Sequence, residues 1–251
     1  LNLRSAEASA EAGDFTVRTS LLGPRGSSDL LLPMRPLGVM HGDAAGRRLG
    51  EAGATVHLNS RVESLDDLDA DALVVAVPPG ESARLLGEPE PALTDSPIVS
   101  VHLLFDREIL SPANAPLVAL LGSSAHWVFD RGRLMRAAPV PNQYLTVVSS
   151  GAPELMELRG LELVEVVAGE VTDRLGRAEL LWSRVSREPA ATIAVRPGAE
   201  AQRLGVQTNR ANVVRAGAWT GTGWPATMEG AVRSGVAAAR ALTATRHEVA
   251  A

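Results

Sequence analysis

The stretch VVRAGAWTGTGWPATMEGAVRSG, Val213 to Gly235, decides how the chain is read. A short apolar strand, Asn212 to Ala216, runs into a turn, Gly217 to Pro225, that carries Gly217, Gly221 and Gly223. A helix follows from Ala226 to about Leu242. Pro225 suits the start of a helix and Thr227 suits a cap or first-turn position. The glycines let backbone approach a ligand closely. The helix N-terminus offers unpaired N–H groups and the positive end of the dipole, which suits a phosphate or a developing anion. Past the first turn, Gly230, Ala231, Ser234, Gly235 and Ala238 make one side of the helix small enough to press against a strand. Two readings stand at this point: an ordinary β–turn–α unit, or the same unit built around a ligand.

Upstream, DALVVAVPPG (71–80) holds a continuous apolar run, Ala72 to Val77, as expected for a strand buried on both faces of a parallel sheet. A short helix, Glu81 to Leu86, follows it. The alternation of Val56, Leu58 and Val62 predicts a half-exposed strand over 54–65. Residues 29–52 show helical spacing, divided by Pro33 and Pro36 into two short helices. The middle of the chain differs. Short β-like runs at 98–105, 117–121, 126–129 and 144–149 are separated by turn residues, as in an antiparallel sheet. An amphipathic helix is expected over 153–175, a strand over 180–185, and irregular chain over 189–204 that becomes briefly helical at its end.

Composition narrows the chemistry. The 251 residues contain no cysteine, and all 24 basic residues are arginine. Disulfides, Cys-ligated metals and thiol nucleophiles are therefore excluded, as are Schiff-base and P-loop lysines. A GC-rich genome accounts for the Arg-for-Lys bias, whatever its chemical consequences. The net charge of −5 lacks the basic excess of a nucleic-acid binder. The five histidines are scattered without metal-ligand spacing, so no metal site is expected. No apolar run is long enough for a membrane helix. The expected setting is cytoplasmic, with peripheral contact at the inner face of a membrane left open.

The pattern A-G-x-W-T-x-T-G-x-P-A-T-M-E-G-A-x-R-S-G resembles the C-terminal FAD-binding signature of the flavin amine oxidase and carotenoid desaturase superfamily. Within it the resemblance is to squalene-associated FAD-dependent desaturases, the hydroxysqualene dehydroxylases. SRVESL (60–65), DALVVAVPP (71–79), HWVFDR (126–131), YLTVVSSGA (144–152) and VSREPAATIAVRPGAEAQR (185–203) extend it over most of the chain. The resemblance implies an α/β fold in which part of a Rossmann-like FAD-binding domain is interleaved with an α+β, antiparallel-sheet substrate domain. The expected division is 1–53 as a helical part of the substrate domain, 54–92 as an FAD-binding segment, 93–204 as the substrate domain and 205–245 as the C-terminal FAD-binding segment.

It further implies FAD as cofactor and an apolar isoprenoid as substrate. Gly217, Ala218, Trp219, Gly223, Pro225, Ala226, Thr227 and Met228 would lie along the flavin, with N–H groups near Thr227 and Met228 reaching its O2. The Val62 backbone would meet the adenine. No catalytic acid or base is assigned. Trp127, Phe129 and Tyr144 suit either an apolar substrate cavity or ordinary core.

Two departures from the superfamily pattern matter. Ala218 stands where an acidic residue is common, and no G-x-G-x-x-G occurs. The chain is therefore expected to be the C-terminal part of a longer flavoprotein and to hold FAD weakly alone. Two alternatives remain: a non-catalytic or degenerate binding module, and a flavin amine oxidase. Amine oxidases of the superfamily place a lysine on a middle strand, and the matching IVSVHLLFD (98–106) has none.

Overall fold

The computed structural model describes residues 2–136 and 141–249. In chain order the elements begin with α1 (Ala10–Ser20), α2 (Ala44–Glu51), β1 (Leu73–Val75) and α3 (Pro79–Leu86). The middle of the chain holds β2 (Asp95–Phe105), β3 (Leu117–Ala119), β4 (Trp127–Asp130), α4 (Arg131–Leu134) and β5 (Gln143–Ser150). The chain continues through α5 (Pro153–Glu157), α6 (Gly160–Leu175), β6 (Leu180–Ile193), β7 (Val213–Arg215) and α7 (Met228–Val249).

These elements form two compact units. One comprises Leu1–Thr19, Asn59–Ser96 and Thr192–Ala251, and the other comprises Ser20–Leu58 and Pro97–Ala191. The first 19 residues thus separate from the stretch that follows them, where the sequence suggested a single piece over 1–53. The reason is local. The Ser9 N–H donates to the Val195 carbonyl at 2.8 Å, and the Phe15 ring meets Trp224 edge-on with centroids 5.1 Å apart.

In the first unit, β1 and β7 pair in parallel, with Leu73 opposite Val213 and Val75 opposite Arg215. Leu65, Val75, Leu86 and Val213 are buried together beside this pair. Val214 and Ala216 pack with Ala238 of α7, where the small side of the helix brings it close to the strand. The strand predicted as buried on both faces is shorter and less covered than expected: Val74 is 47% exposed. No strand forms over 54–65 either. Gly53 and Asn59 take positive φ, Val56 and Leu58 stay exposed, and the segment ends in a 3-10 turn, Leu65–Asp67, capped by the Ser64 hydroxyl.

The second unit is a five-stranded sheet in the order β3-β4-β5-β2-β6. The β3–β4, β4–β5 and β5–β2 pairs are antiparallel, as the alternating middle runs predict. One face is core. Val99, Val101, Leu103 and Phe105 of β2, with Leu145 and Val147 of β5, bury against Leu163, Val164, Val167 and Val171 of α6. The single predicted helix over 153–175 is broken at Leu158 and Arg159, whose backbones are extended. The Leu158 carbonyl is taken by the guanidinium of Arg187 at 2.6 Å, and Gly160 enters α6 with φ +51°. Strand β6 runs on through Pro189 to Ile193, past the predicted end at 185. As the edge strand it tolerates a proline that lacks an N–H. Over 29–52 the prolines prevent a first helix, and only a wide π-type turn, Gly38–Asp43, and α2 form.

Leu163 is fully buried between α6 and the sheet. Leu163→Ala is expected to cost about 2–5 kcal/mol through lost transfer energy and the cavity left behind. Urea unfolding checks this, and a loss under 1 kcal/mol would contradict the packing described.

Candidate functional site

The parallel pair ends on one side in Val77 and Gly217, and the indole of Trp219 joins the two by donating from Nε1 to the Val77 carbonyl at 2.9 Å. In open parallel sheets this carboxyl end of the strands is where ligands bind. The turn after β7 is built from its glycines. Gly217 has φ +146°, and a Cβ there would lie 2.7 Å from Trp219 Nε1, so no side chain fits. Its N–H donates to the buried hydroxyl of Ser234 at 2.8 Å, which fixes the start of the turn against α7. Gly230 is required for a second reason, because a Cβ there would sit 2.5 Å from the Pro225 carbonyl oxygen.

The centre of the turn is occupied by the guanidinium of Arg203, whose side chain is only 3% exposed. It donates to the carbonyls of Trp219 (3.3 Å), Trp224 (2.7 Å), Ala218 (2.9 Å) and Thr220 (2.5 Å). Its charge is balanced by Glu200 at 2.7 Å. Of the four peptide groups whose oxygens it takes, one leaves its N–H open, that of Trp219: the N–H groups of Thr220 and Gly221 donate to the carbonyls of Gly217 and Leu204, and Pro225 has none. The N–H groups of Ala218, Trp219 and Gly223, and those of Met228 and Glu229 opening α7, have no acceptor among the described residues. The Thr227 hydroxyl accepts from the Gly230 N–H at 3.3 Å and so caps the helix as its position predicts. A loop with carbonyls neutralised and N–H groups open, leading into a helix N-terminus, is a donor set for an anionic group. That donor set fits the diphosphate and the electron-rich pyrimidine edge of a dinucleotide flavin.

Beside the turn lies a cavity of about 280 Å³ lined by Phe15, Ile193, Val195, Trp224, Pro225 and Ala226, among others. Trp224 forms part of its wall, held between the edge of Phe15 and the guanidinium of Arg233, which stands 4.1 Å from the indole centroid. The predicted residues Gly217, Ala218, Trp219, Gly223, Pro225, Ala226, Thr227 and Met228 thus form one continuous surface element. Within it, the Trp219 side chain is buried and serves the fold. Val62 stands apart from them. It is half-buried beside the Leu65–Val213 cluster in irregular chain, and its carbonyl accepts from Arg84 at 3.2 Å.

The second unit carries polar chemistry that the sequence reading passed over. Opposite the core face of the sheet, the register places His102 across from Thr146, Leu104 across from Tyr144, and Trp127 across from Val148. His102 Nδ1 lies 3.0 Å from Thr146 Oγ1 and 3.2 Å from Tyr144 Oη. Tyr144 in turn packs edge-on to Trp182 at 6.4 Å. Burial, and then the charges of Arg131 and Arg184, hold the His102 pKa below the ordinary histidine value. Sequence spacing offers no signal for this cluster, since forty-odd residues separate its members.

The sequence profile of the family described as flavin containing amine oxidoreductase matches residues 43–243. A hydroxysqualene dehydroxylase from Sinorhizobium fredii is 31% identical over 95% of this chain and 58% of its own length. A second, from Rhodopseudomonas palustris, is 34% identical over 67% of this chain and 38% of its own. The chain therefore spans under two thirds of the length of these relatives. A solved structure from an Exiguobacterium species, provisionally assigned as a protoporphyrinogen oxidase, superposes with TM-score 0.62 at 16% identity over 86% of this chain and 54% of its own, which establishes shared fold.

Two measurements check the site. Arg203→Met should lower stability by at least about 2 kcal/mol, because buried carbonyls lose charged donors, and should speed amide exchange over 217–225 first. Unchanged exchange there would show that the guanidinium does not brace the turn. By NMR, His102 should titrate below the ordinary value of 6.5, and Arg184→Gln should raise its midpoint by removing a neighbouring positive charge. The lowered value means the unfolded chain binds this proton more readily, so the contribution to stability is lost as pH falls through the unfolded value.

Proposed function

The chain belongs to the flavin containing amine oxidoreductase family, a family of flavoproteins, and from that premise we propose that it serves an FAD-dependent reduction of a hydroxylated long isoprenoid, the replacement of an allylic hydroxyl by hydrogen. The observation that carries this reading is the likeness to hydroxysqualene dehydroxylases over nearly the whole chain. Bound reduced flavin supplies the hydride in such chemistry. The residues of this chain supply the setting. In this reading the open N–H groups of Ala218, Trp219 and Gly223 hold anionic parts of the cofactor, and the α7 N-terminus at Thr227 and Met228 stabilises negative charge on the reduced ring. Arg203 acts at one remove by fixing the loop. The Val62 backbone is assigned to the adenine end.

The open sheet face of the second unit suits an isoprenoid. It presents Leu104, Phe129, Tyr144, Val148 and Trp182, apolar or aromatic surface with few charges on the strands themselves. A hydrocarbon chain gains about 25 cal/mol per Å² of apolar area it buries on such a surface. An amine substrate would instead need carboxylates or an aromatic cage, and this chain has one tyrosine.

The test is turnover by the intact gene product that carries this chain, supplied with reduced FAD and offered hydroxysqualene, phytoene and a polyamine. Squalene formation from hydroxysqualene is expected, with at least tenfold loss of FAD affinity in Gly217→Val. Oxidation of the polyamine alone would overturn the proposal.

A further inference from the structure

The face of the five-stranded sheet opposite its core carries a histidine among largely apolar and aromatic neighbours. His102 stands half-buried on β2, directly opposite Thr146 of β5, with Tyr144 two residues along on the same face. Both hydroxyl oxygens lie within hydrogen-bond distance of the same ring nitrogen, Nδ1. The other nitrogen, Nε2, has no hydrogen-bond partner among the described residues. In the tautomer in which the Tyr144 phenol donates to Nδ1, the ring proton sits on Nε2. Charging the ring is disfavoured by burial and by Arg131 and Arg184, the charged groups that face it from α4 and β6. In that tautomer the imidazole is neutral, and its Nε2–H is turned away from both hydroxyl partners and available to a ligand.

We propose that His102 is the group that recognises the substrate's hydroxyl, its Nε2–H donating to the alcohol oxygen of an otherwise hydrocarbon isoprenoid, with Tyr144 and Thr146 as positioning residues that hold the ring. The inference rests on the functional reading above and deepens it. A long isoprenoid offers one polar atom, and the rest of its recognition is apolar burial without direction. A donor placed among aromatic side chains therefore fixes which carbon the alcohol presents. It also separates substrate from product. The dehydroxylated hydrocarbon fills the same surface but leaves the partly desolvated N–H unpaired, so it binds less tightly and departs.

The experiment measures equilibrium binding of hydroxysqualene and of squalene in mild detergent to the intact gene product, followed by tryptophan fluorescence. Trp182 beside Tyr144 is a reporter on the same face. The native protein should bind the alcohol about tenfold more tightly than the hydrocarbon, as expected for one hydrogen bond in a partly dry setting. His102→Leu should bring that ratio to about one while leaving squalene binding unchanged, and His102→Gln, which keeps a donor, should restore part of it. Tyr144→Phe should reduce the ratio by a smaller factor, because the ring loses the partner that sets its tautomer. A ratio near one in the native protein, or a ratio unaffected by His102→Leu, overturns the role of His102 and leaves the isoprenoid reading intact. Equal loss of both ligands in His102→Leu also overturns it, as the sign of a purely structural residue. Binding of neither isoprenoid to the native protein overturns the isoprenoid reading, and this inference with it.

Discussion

The turn from β7 into α7 depends on a buried cation, Arg203. The connection from β7 to α7 has to turn sharply within a few residues, and in doing so it turns the carbonyls of Ala218, Trp219, Thr220 and Trp224 inward. Buried carbonyls without donors cost more than a short loop can offset. Arg203 resolves this, because a planar guanidinium presents several N–H donors in a fixed fork to carbonyls that converge on it. The solution also gives the loop a polarity. The Ala218 peptide, anchored by its oxygen on Arg203, leaves the Trp219 N–H open, and the α7 N-terminus adds further open N–H groups. One side chain thus folds the turn and holds in place the backbone that offers those groups.

This explains why the decisive stretch was legible as a motif but not as a mechanism of folding. Gly217, Gly223, Pro225 and Thr227 announce a turn and a helix start because their preferences are local. Arg203 lies fourteen residues before Gly217 in chain that shows no periodicity, and nothing local marks it as the residue the turn closes on. The sheet of the second unit was legible for a different reason. Val99, Val101, Leu103 and Phe105 alternate with Ser100, His102 and Leu104, and alternation of that kind states both strand and face. Over 54–65 the same alternation misled, since Val56 and Leu58 find no neighbouring strand and alternation has meaning only inside a ladder. The break at Leu158–Gly160 was hidden because apolar spacing continues through it. What interrupts the helix is a glycine at positive φ and a guanidinium that captures the Leu158 carbonyl. The bounds of α1, inside the stretch expected to be helical over 1–53, were not legible because no residue in it is buried and its Phe15 meets Trp224 from the other end of the chain.

The absence of lysine looks different once the loops are in view. Whatever the source of the arginine bias, the fold uses the geometry of the guanidinium repeatedly. Arg133 donates to the carbonyls of Ser111, Pro112 and Asn114, and Arg174 to those of Leu121 and Gly122. Arg84 reaches the carbonyls of Val62 and Glu63 while pairing with Glu81. At these exposed loops their combined effect is to hold irregular chain in one path. An ammonium group on a flexible stem is a point charge and cannot bridge successive carbonyls in one plane. The distinction is sharpest at Arg203, where the group is buried and every arm is engaged. A lysine there would keep the charge and the pairing with Glu200 but would leave carbonyls of the turn unserved, so the loop would relax and lose the ordered N–H face with it. Arginine rather than lysine is thus a structural requirement at the loop on which the candidate cofactor site is built.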